Sequence, residues 1–376
     1  MQIETLKLLF KTYKETSLFG RYIHAKNIDP LLEKLKDKMQ IKQVGKSVNG
    51  VPIHTVTFGS GGKKILMWSQ MHGNESTTTK AVFDLLNLFS EENEITKAIL
   101  KACTVTVIPI LNPDGAKLYT RLNANKVDLN RDAQKMTQPE SRVLRNVFND
   151  LKPDFCYNLH GQRTIFSAGK VDKPATISFL APAQDEDRTI TSTRKIAMEV
   201  ISVMNSSLQL QIPGQVGIYD DGFNINCVGD TFQAENVPTI LFEAGHYVND
   251  YHREHTRAFI FQSLLVSLDY IASRAVVGSD YQSYLEIPQN DKLFYDIIIR
   301  NTSHRDIAIQ YVERLEGSDL VFVPKIEKIS DMSHYFAHCE RDANGCEVFG
   351  ENSMALQEGL EIDFVIINKE KLSLKV

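Results

Sequence analysis

No apolar run in this 376-residue sequence approaches the 18 residues that a membrane-spanning helix requires. There is also no internal repeat, no low-complexity segment and no block of like charge long enough to act as an interaction tail. The opening stretch, MQIETLKLLFKTYKETSLFG, breaks its apolar positions with Glu4 and several lysines. It therefore lacks the apolar core and small-residue cleavage site of a signal peptide. Positive charge is not in excess: 42 Lys and Arg stand against 47 Asp and Glu, a net charge of −5. That balance argues against nucleic acid or an anionic membrane as the main partner. Cysteines are few and odd in number (Cys103, Cys156, Cys227, Cys339 and Cys346), and buried thiols in a reducing compartment account for them most simply. Cytoplasm is the expected location.

What is present is ordinary globular material, 43% hydrophobic and 24% charged. Its length allows two or three domains, or one large α/β domain with an appendage. Residues 1–40 read as a preface of one or two short helices. Asn49-Gly50, between alternating apolar and polar residues, predicts a hairpin with a two-residue turn. Strands and helices then alternate. KILMWSQ and CTVTVIPIL are buried-strand runs, the second closed by a turn at NPDG, and TTTKAVFDLLNLFS has helical spacing. Thr137 and Glu140 predict a capping box, with Pro139 in the first turn of the helix they open. DFCYNLH, ATISFLA and PTILFEA are further strands, and a helix over roughly 251–275 closes this part. The pattern predicts an α/β domain over 41–278 with a mainly parallel sheet covered by helices. Residues 279–376 return to strict alternation and predict a small β-rich domain.

Ligands gather at the carboxyl ends of strands in such sheets. Polar groups stand there in this sequence: His72 after one strand, Asn112 after another, His160 after a third and Glu243 on a fourth. Alone, the pair His72 and Glu75 in WSQMHGNEST is a strand-end histidine beside a helix-start acid. Gly73 lets the chain turn between them so that both side chains can converge. Catalytic zinc takes three protein ligands and leaves a position for water, and two His with one Glu is a known set. His160 is the candidate third ligand. TRLNANKVDLNRD gathers Arg121, Asn125, Asp128, Asn130 and Arg131 in one polar loop. Glu243 closes an otherwise apolar strand, where burying an acid is expensive unless it has a partner or a task.

In their order, HGNE, NPDG, R…VDLNR, NLH and FEAG resemble the zinc carboxypeptidase family of carboxypeptidase A-like metallopeptidases, in a bacterial cytoplasmic form. The resemblance spans about residues 40–275. It implies one zinc ion per chain held by His72, Glu75 and His160, with Glu243 as general base and Arg121 polarising the scissile carbonyl. It further implies that Asn130 and Arg131 grip the terminal carboxylate of a peptide substrate and that Asp128 orients His72. Tyr219 is the nearest candidate for the family's substrate-covering tyrosine, and His246 a candidate for the pocket wall. The sequence departs from the digestive enzymes in carrying Gly73-Asn74 where they place an arginine, which puts extended peptide binding in doubt.

The implied activity is removal of a C-terminal residue from a short peptide. Two other classes share parts of the pattern: a deacylase of N-acyl amino acids, desuccinylase- or aspartoacylase-like, and a non-catalytic binding module. Asp220, Asp221 and Asp230 lie in the pocket-shaping segment and imply a basic or zwitterionic terminal residue. In the tail, His334, His338, Cys339 and Cys346 fit no standard zinc spacing, and a plain β-hairpin through DANG is expected there.

Overall fold

The computed structural model describes residues 1–91 and 93–376. The preface forms α1 (Ile3–Tyr13) and α2 (Ala25–Leu35). β1 (Gln40–Lys46) and β2 (Pro52–Gly59) pair as an antiparallel hairpin. The turn between them is longer than the two residues expected, running over 47–51. Its amides have distant partners: Val48 N–H donates to Glu140 at 3.0 Å and Asn49 N–H to Asp114 at 3.0 Å. The same engagement removes the capping box. Glu140 also accepts from Asn123 at 3.1 Å, and Thr137 donates to Asp132 at 2.8 Å.

β3 (Lys63–Ser69), α3 (Thr77–Phe89), α4 (Glu94–Ala102) and β4 (Cys103–Ile108) follow. NPDG then opens a helix, α5 (Pro113–Leu118), instead of closing a turn. Asn112 caps it, accepting from Gly115 N–H at 2.9 Å, and Pro113 sits where a missing N–H costs nothing. Next come α6 (Pro139–Leu151), β5 (Phe155–Gly161), β6 (Phe166–Ala168), β7 (Ile177–Leu180), α7 (Ser192–Gln209), β8 (Val216–Ile218), α8 (Val228–Ala234), β9 (Thr239–Ala244) and α9 (Glu254–Ser273).

Eight strands form one mixed sheet in the order β1-β2-β4-β3-β5-β9-β7-β8. Its centre, β4-β3-β5-β9, is parallel throughout. Alternation along β3 feeds both faces: Ile65 and Met67 join the larger apolar cluster, under α3, α7 and α9, while Leu66 and Trp68 join the smaller one, under α6 and α8. In the smaller cluster Trp68 meets Phe232 edge-on with centroids 5.5 Å apart, and Phe232 stacks on Phe148 at 3.9 Å. On the other face Arg257 of α9 clasps Asp84 of α3, both fully buried, with Nε to Oδ2 at 2.7 Å. Among the described residues no helix is long and apolar enough to cross a membrane.

The tail supplies β10 (Asn290–Lys292), β11 (Phe294–Arg300), β12 (Asp306–Glu316), β13 (Asp319–Ser330), β14 (Phe336–Asp342), β15 (Val348–Phe349), β16 (Phe364–Ile367) and β17 (Glu370–Ser373). β13-β12-β11-β14 form one sheet and β15-β16-β17 another. The hairpin expected through DANG is absent: β14 runs parallel to β11, and β15 pairs with β16. His334 is exposed, while the Nε2 of His338 lies 2.8 Å from Thr164 O. β10 pairs antiparallel with β6, joining the tail to the segment that follows His160.

Candidate metal centre and cavity

The chain leaves β3 through Gln70, whose φ of 44° is unusual for a side-chain-bearing residue. Gln70 is fully buried, and its amide nitrogen donates to Ile23 O at 2.9 Å and Gly73 O at 2.8 Å, holding the bend. Gly73 is needed for a close approach: a Cβ there would lie 2.0 Å from the Gly115 backbone. Asn112 completes the support, its Nδ2 donating to Met71 O at 3.2 Å. Three neighbouring elements thus fix the loop that carries His72 and Glu75.

Glu75 presents Oε1 to His72 Nδ1 at 2.9 Å and Oε2 to His160 Nδ1 at 2.9 Å, and the two ring nitrogens are 3.0 Å apart. Among the described residues this is the group of three or more metal-ligating side chains whose donor atoms all lie within 4.8 Å of one another. Two imidazoles and a carboxylate converging at these distances suit a small divalent cation: a tetrahedral ion with bonds of about 2.1 Å spaces its ligands only slightly wider. The other face of the His72 ring is anchored, Nε2 lying 3.1 Å from Asp128 Oδ1. Burial would raise the Asp128 carboxyl, but His72 and Arg121 hold it well below the usual range. Arg121 Nε donates to Asp128 at 3.0 Å, and its Nη1 lies 3.2 Å from His72 Nδ1.

These groups open on a cavity of about 440 Å³ whose wall includes Arg121, Asn130, Arg131, Tyr219 and Glu243. Glu243 Oε2 is buried with no hydrogen-bond partner. Burial first, and then the charge of Glu75, push its carboxyl well above the ordinary range. Asn130 Oδ1 accepts from Val228 N–H at 3.0 Å, and its amide N–H groups have no partner among the described residues. Arg131 Nη1 donates to Asn130 O at 2.8 Å and lies 3.1 Å from Cys227 Sγ, with no carboxylate partner among the described residues. The Tyr219 ring stands against Phe166 at 5.3 Å. His246 lies outside this wall, packed between Tyr251 and His338 at centroid distances of 4.6 and 4.2 Å.

The three pocket acids differ. Asp220 and Asp221 both pair with Arg188, at 3.2 Å each, and Asp221 also binds Arg194. Asp230 accepts the Asn224 amide at 2.9 Å and, among the described residues, has no cation within ion-pair distance, with Arg131 and Arg194 acting on it from further away. Burial pushes its carboxyl up to about 6. Three further wall residues have no role assigned from the sequence: Arg163 and Cys227, which lie outside the motifs, and Asn158, the first residue of NLH. For Asn158 a signal exists, since it stands two residues before His160 on one strand and so shares its face. Its Oδ1 is buried and unpartnered.

Sheet, helices and a His-Glu-His cluster at the strand ends define an α/β protein of the zinc carboxypeptidase fold. Residues 25–136 match the family profile described as "Zinc carboxypeptidase", and the resemblance read from the sequence holds over that segment. Carboxypeptidase 2 of Trichophyton rubrum is 27% identical over 114 residues, covering 30% of this chain and 20% of its own. Carboxypeptidase SOL1 of Arabidopsis thaliana is 26% identical over 141 residues, covering 32% and 29%. The chain thus spans under a third of the length of these relatives. A metallo-carboxypeptidase from Burkholderia cenocepacia superposes with a TM-score of 0.52 at 15% identity, over 65% of this chain and 69% of that one, and shares the fold.

Proposed function

We propose that the protein is a zinc-dependent carboxypeptidase that hydrolyses the C-terminal peptide bond of a peptide. The observation that carries this reading is the placement of an unpartnered, buried Glu243 carboxylate oxygen on the cavity that holds His72, Glu75, His160 and Arg121. His72, Glu75 and His160 would hold one zinc ion, which would supply a Lewis acid and a water whose pKa is brought towards neutrality. Glu243 takes the proton of the attacking water and returns it to the leaving amine. Arg121, fixed by Asp128, offers its Nη1 to the carbonyl oxygen as negative charge develops there. The free amide of Asn130 and the guanidinium of Arg131 hold the terminal carboxylate, for which a planar fork is better suited than lysine. Tyr219 packs over the bound residue, and Asp128 keeps the proton of His72 on Nε2 so that Nδ1 remains a lone-pair donor.

The acceptor Oδ1 of Asn158 and the unpaired carboxylate of Asp230 favour a terminal side chain that carries a cation. We read the chain as a helical preface (1–40), a catalytic unit (41–278) and a small β unit (279–376). The separate apolar cluster of the tail, built on Ile299, Ile309 and Ile326, supports that division.

The test compares metal content and residue release for the wild type and Glu243→Gln. The wild type is expected to hold one equivalent of zinc, to free C-terminal residues and to stop when chelated. Glu243→Gln should keep the metal and lose about a thousandfold in turnover, within the range that proton transfer by a positioned side chain contributes. A variant that stays active removes Glu243 from its role. Hydrolysis of N-acyl amino acids in place of peptides would make the protein a deacylase.

A further inference from the structure

The charged groups of the cavity wall divide by whether they have partners. Arg121 is engaged by Asp128, and the acids Asp220 and Asp221 by Arg188. Arg131 is left for the terminal carboxylate. One guanidinium remains: Arg163, exposed on the wall three residues after His160, with no hydrogen bond or ion pair to any described residue.

The backbone that carries Arg163 is held on both sides. Gln162 is buried, its Nε2 donating to Ala175 O at 2.6 Å, and its carbonyl accepts from Arg253 at 3.1 Å. Thr164 is also buried. Its hydroxyl accepts from Gln310 at 2.6 Å and its carbonyl lies 2.8 Å from His338 Nε2. Phe294 N–H reaches Ile165 O at 3.1 Å, and β6 is then paired with β10. Gln310, His338, Phe294 and β10 all belong to the β-rich tail. The tail therefore fixes the segment, and Arg163 is the charged side chain that this segment, with Gln162 and Phe166, contributes to the cavity wall. A guanidinium on a rigid support, with its fork unpaired, loses little entropy when it meets a planar anion.

We infer that Arg163 binds a second substrate carboxylate, borne by a residue upstream of the one released. This rests on the carboxypeptidase reading and adds to it a substrate class: short peptides with an acidic group near, but not at, the C-terminal residue. It also gives the tail a task, as the support of that contact.

The experiment measures kcat/KM on peptide pairs that differ only by Glu against Gln, at the penultimate and antepenultimate positions. The zinc-loaded wild type, Arg163→Gln and Arg163→Lys are compared. The wild type should prefer the Glu member at one position by roughly tenfold or more, the scale of one charge-assisted hydrogen bond. Arg163→Gln should bring that ratio close to one, and Arg163→Lys should retain part of it. Equal turnover of both members at both positions in the wild type overturns the inference, as does an acid preference that survives Arg163→Gln. If no peptide is cleaved, the carboxypeptidase reading falls and the inference with it.

Discussion

The Nε2 of His72 lies 3.1 Å from Oδ1 of Asp128, and the opposite ring nitrogen faces Glu75 and His160. Asp128 therefore orients a proposed metal ligand without belonging to the cluster of three. Its second oxygen fixes Arg121, so one carboxylate serves two sides of the centre. Replacing Asp128 with Ala should weaken zinc binding by about 10- to 100-fold, the usual cost of losing such an outer partner. Zinc competition against a chelating dye measures it. An unchanged affinity would assign Asp128 to Arg121 alone.

Asp230 gives a pH dependence with a definite sign. Its carboxyl is pushed up to about 6 by burial, so it is neutral below that pH and charged above it. Preference for peptides ending in lysine over leucine should therefore grow as pH rises from 5 to 7, and Asp230→Asn should flatten the trend. Stability moves the other way. The folded state holds this proton more tightly than the unfolded chain, so the contribution of Asp230 declines as pH rises from about 4 to about 6. Denaturation of Asp230→Asn across that range should show the slope removed. A lysine preference independent of pH would detach Asp230 from substrate recognition.

Arg257 and Asp84 join α9 to α3 with no exposure of either side chain. Asp84→Ala strands a buried guanidinium and should cost about 3–5 kcal/mol in chemical denaturation. Pairing it with Arg257→Leu should recover part of that loss, because the pair's own attraction is largely offset by desolvation. A single-variant loss below about 1 kcal/mol would mean that water reaches the site.

The strand ends were legible because apolar runs stop abruptly at His72, Asn112, His160 and Glu243, which topology then sets side by side on parallel strands. Local motifs with distant partners were not. Glu140 reads as a capping residue but serves Val48 and Asn123. Asp220 and Asp221 read as pocket acids and do line the cavity, but their pairing with arginines from an earlier segment is not visible in the sequence. His246 stands three residues after Glu243 and still packs away from the cavity, since the chain turns at the end of β9. α4 has an apolar stripe, Ile95 and Ile99, but is only nine residues long, and α7 mixes apolar and small polar residues along its length. The Thr191 cap of α7, accepting from Arg194 N–H, is the local sign that marks its start.

Trp68 is the only tryptophan of the chain and is fully buried against Phe232 of α8. α8 begins at Val228, whose amide is held by Asn130 on the cavity wall. The protein thus carries a built-in optical reporter with a single address. Its ultraviolet emission arises from one apolar site packed on the helix that Asn130 holds, so a shift on adding a peptide or an inhibitor would report repacking of that helix, without a label.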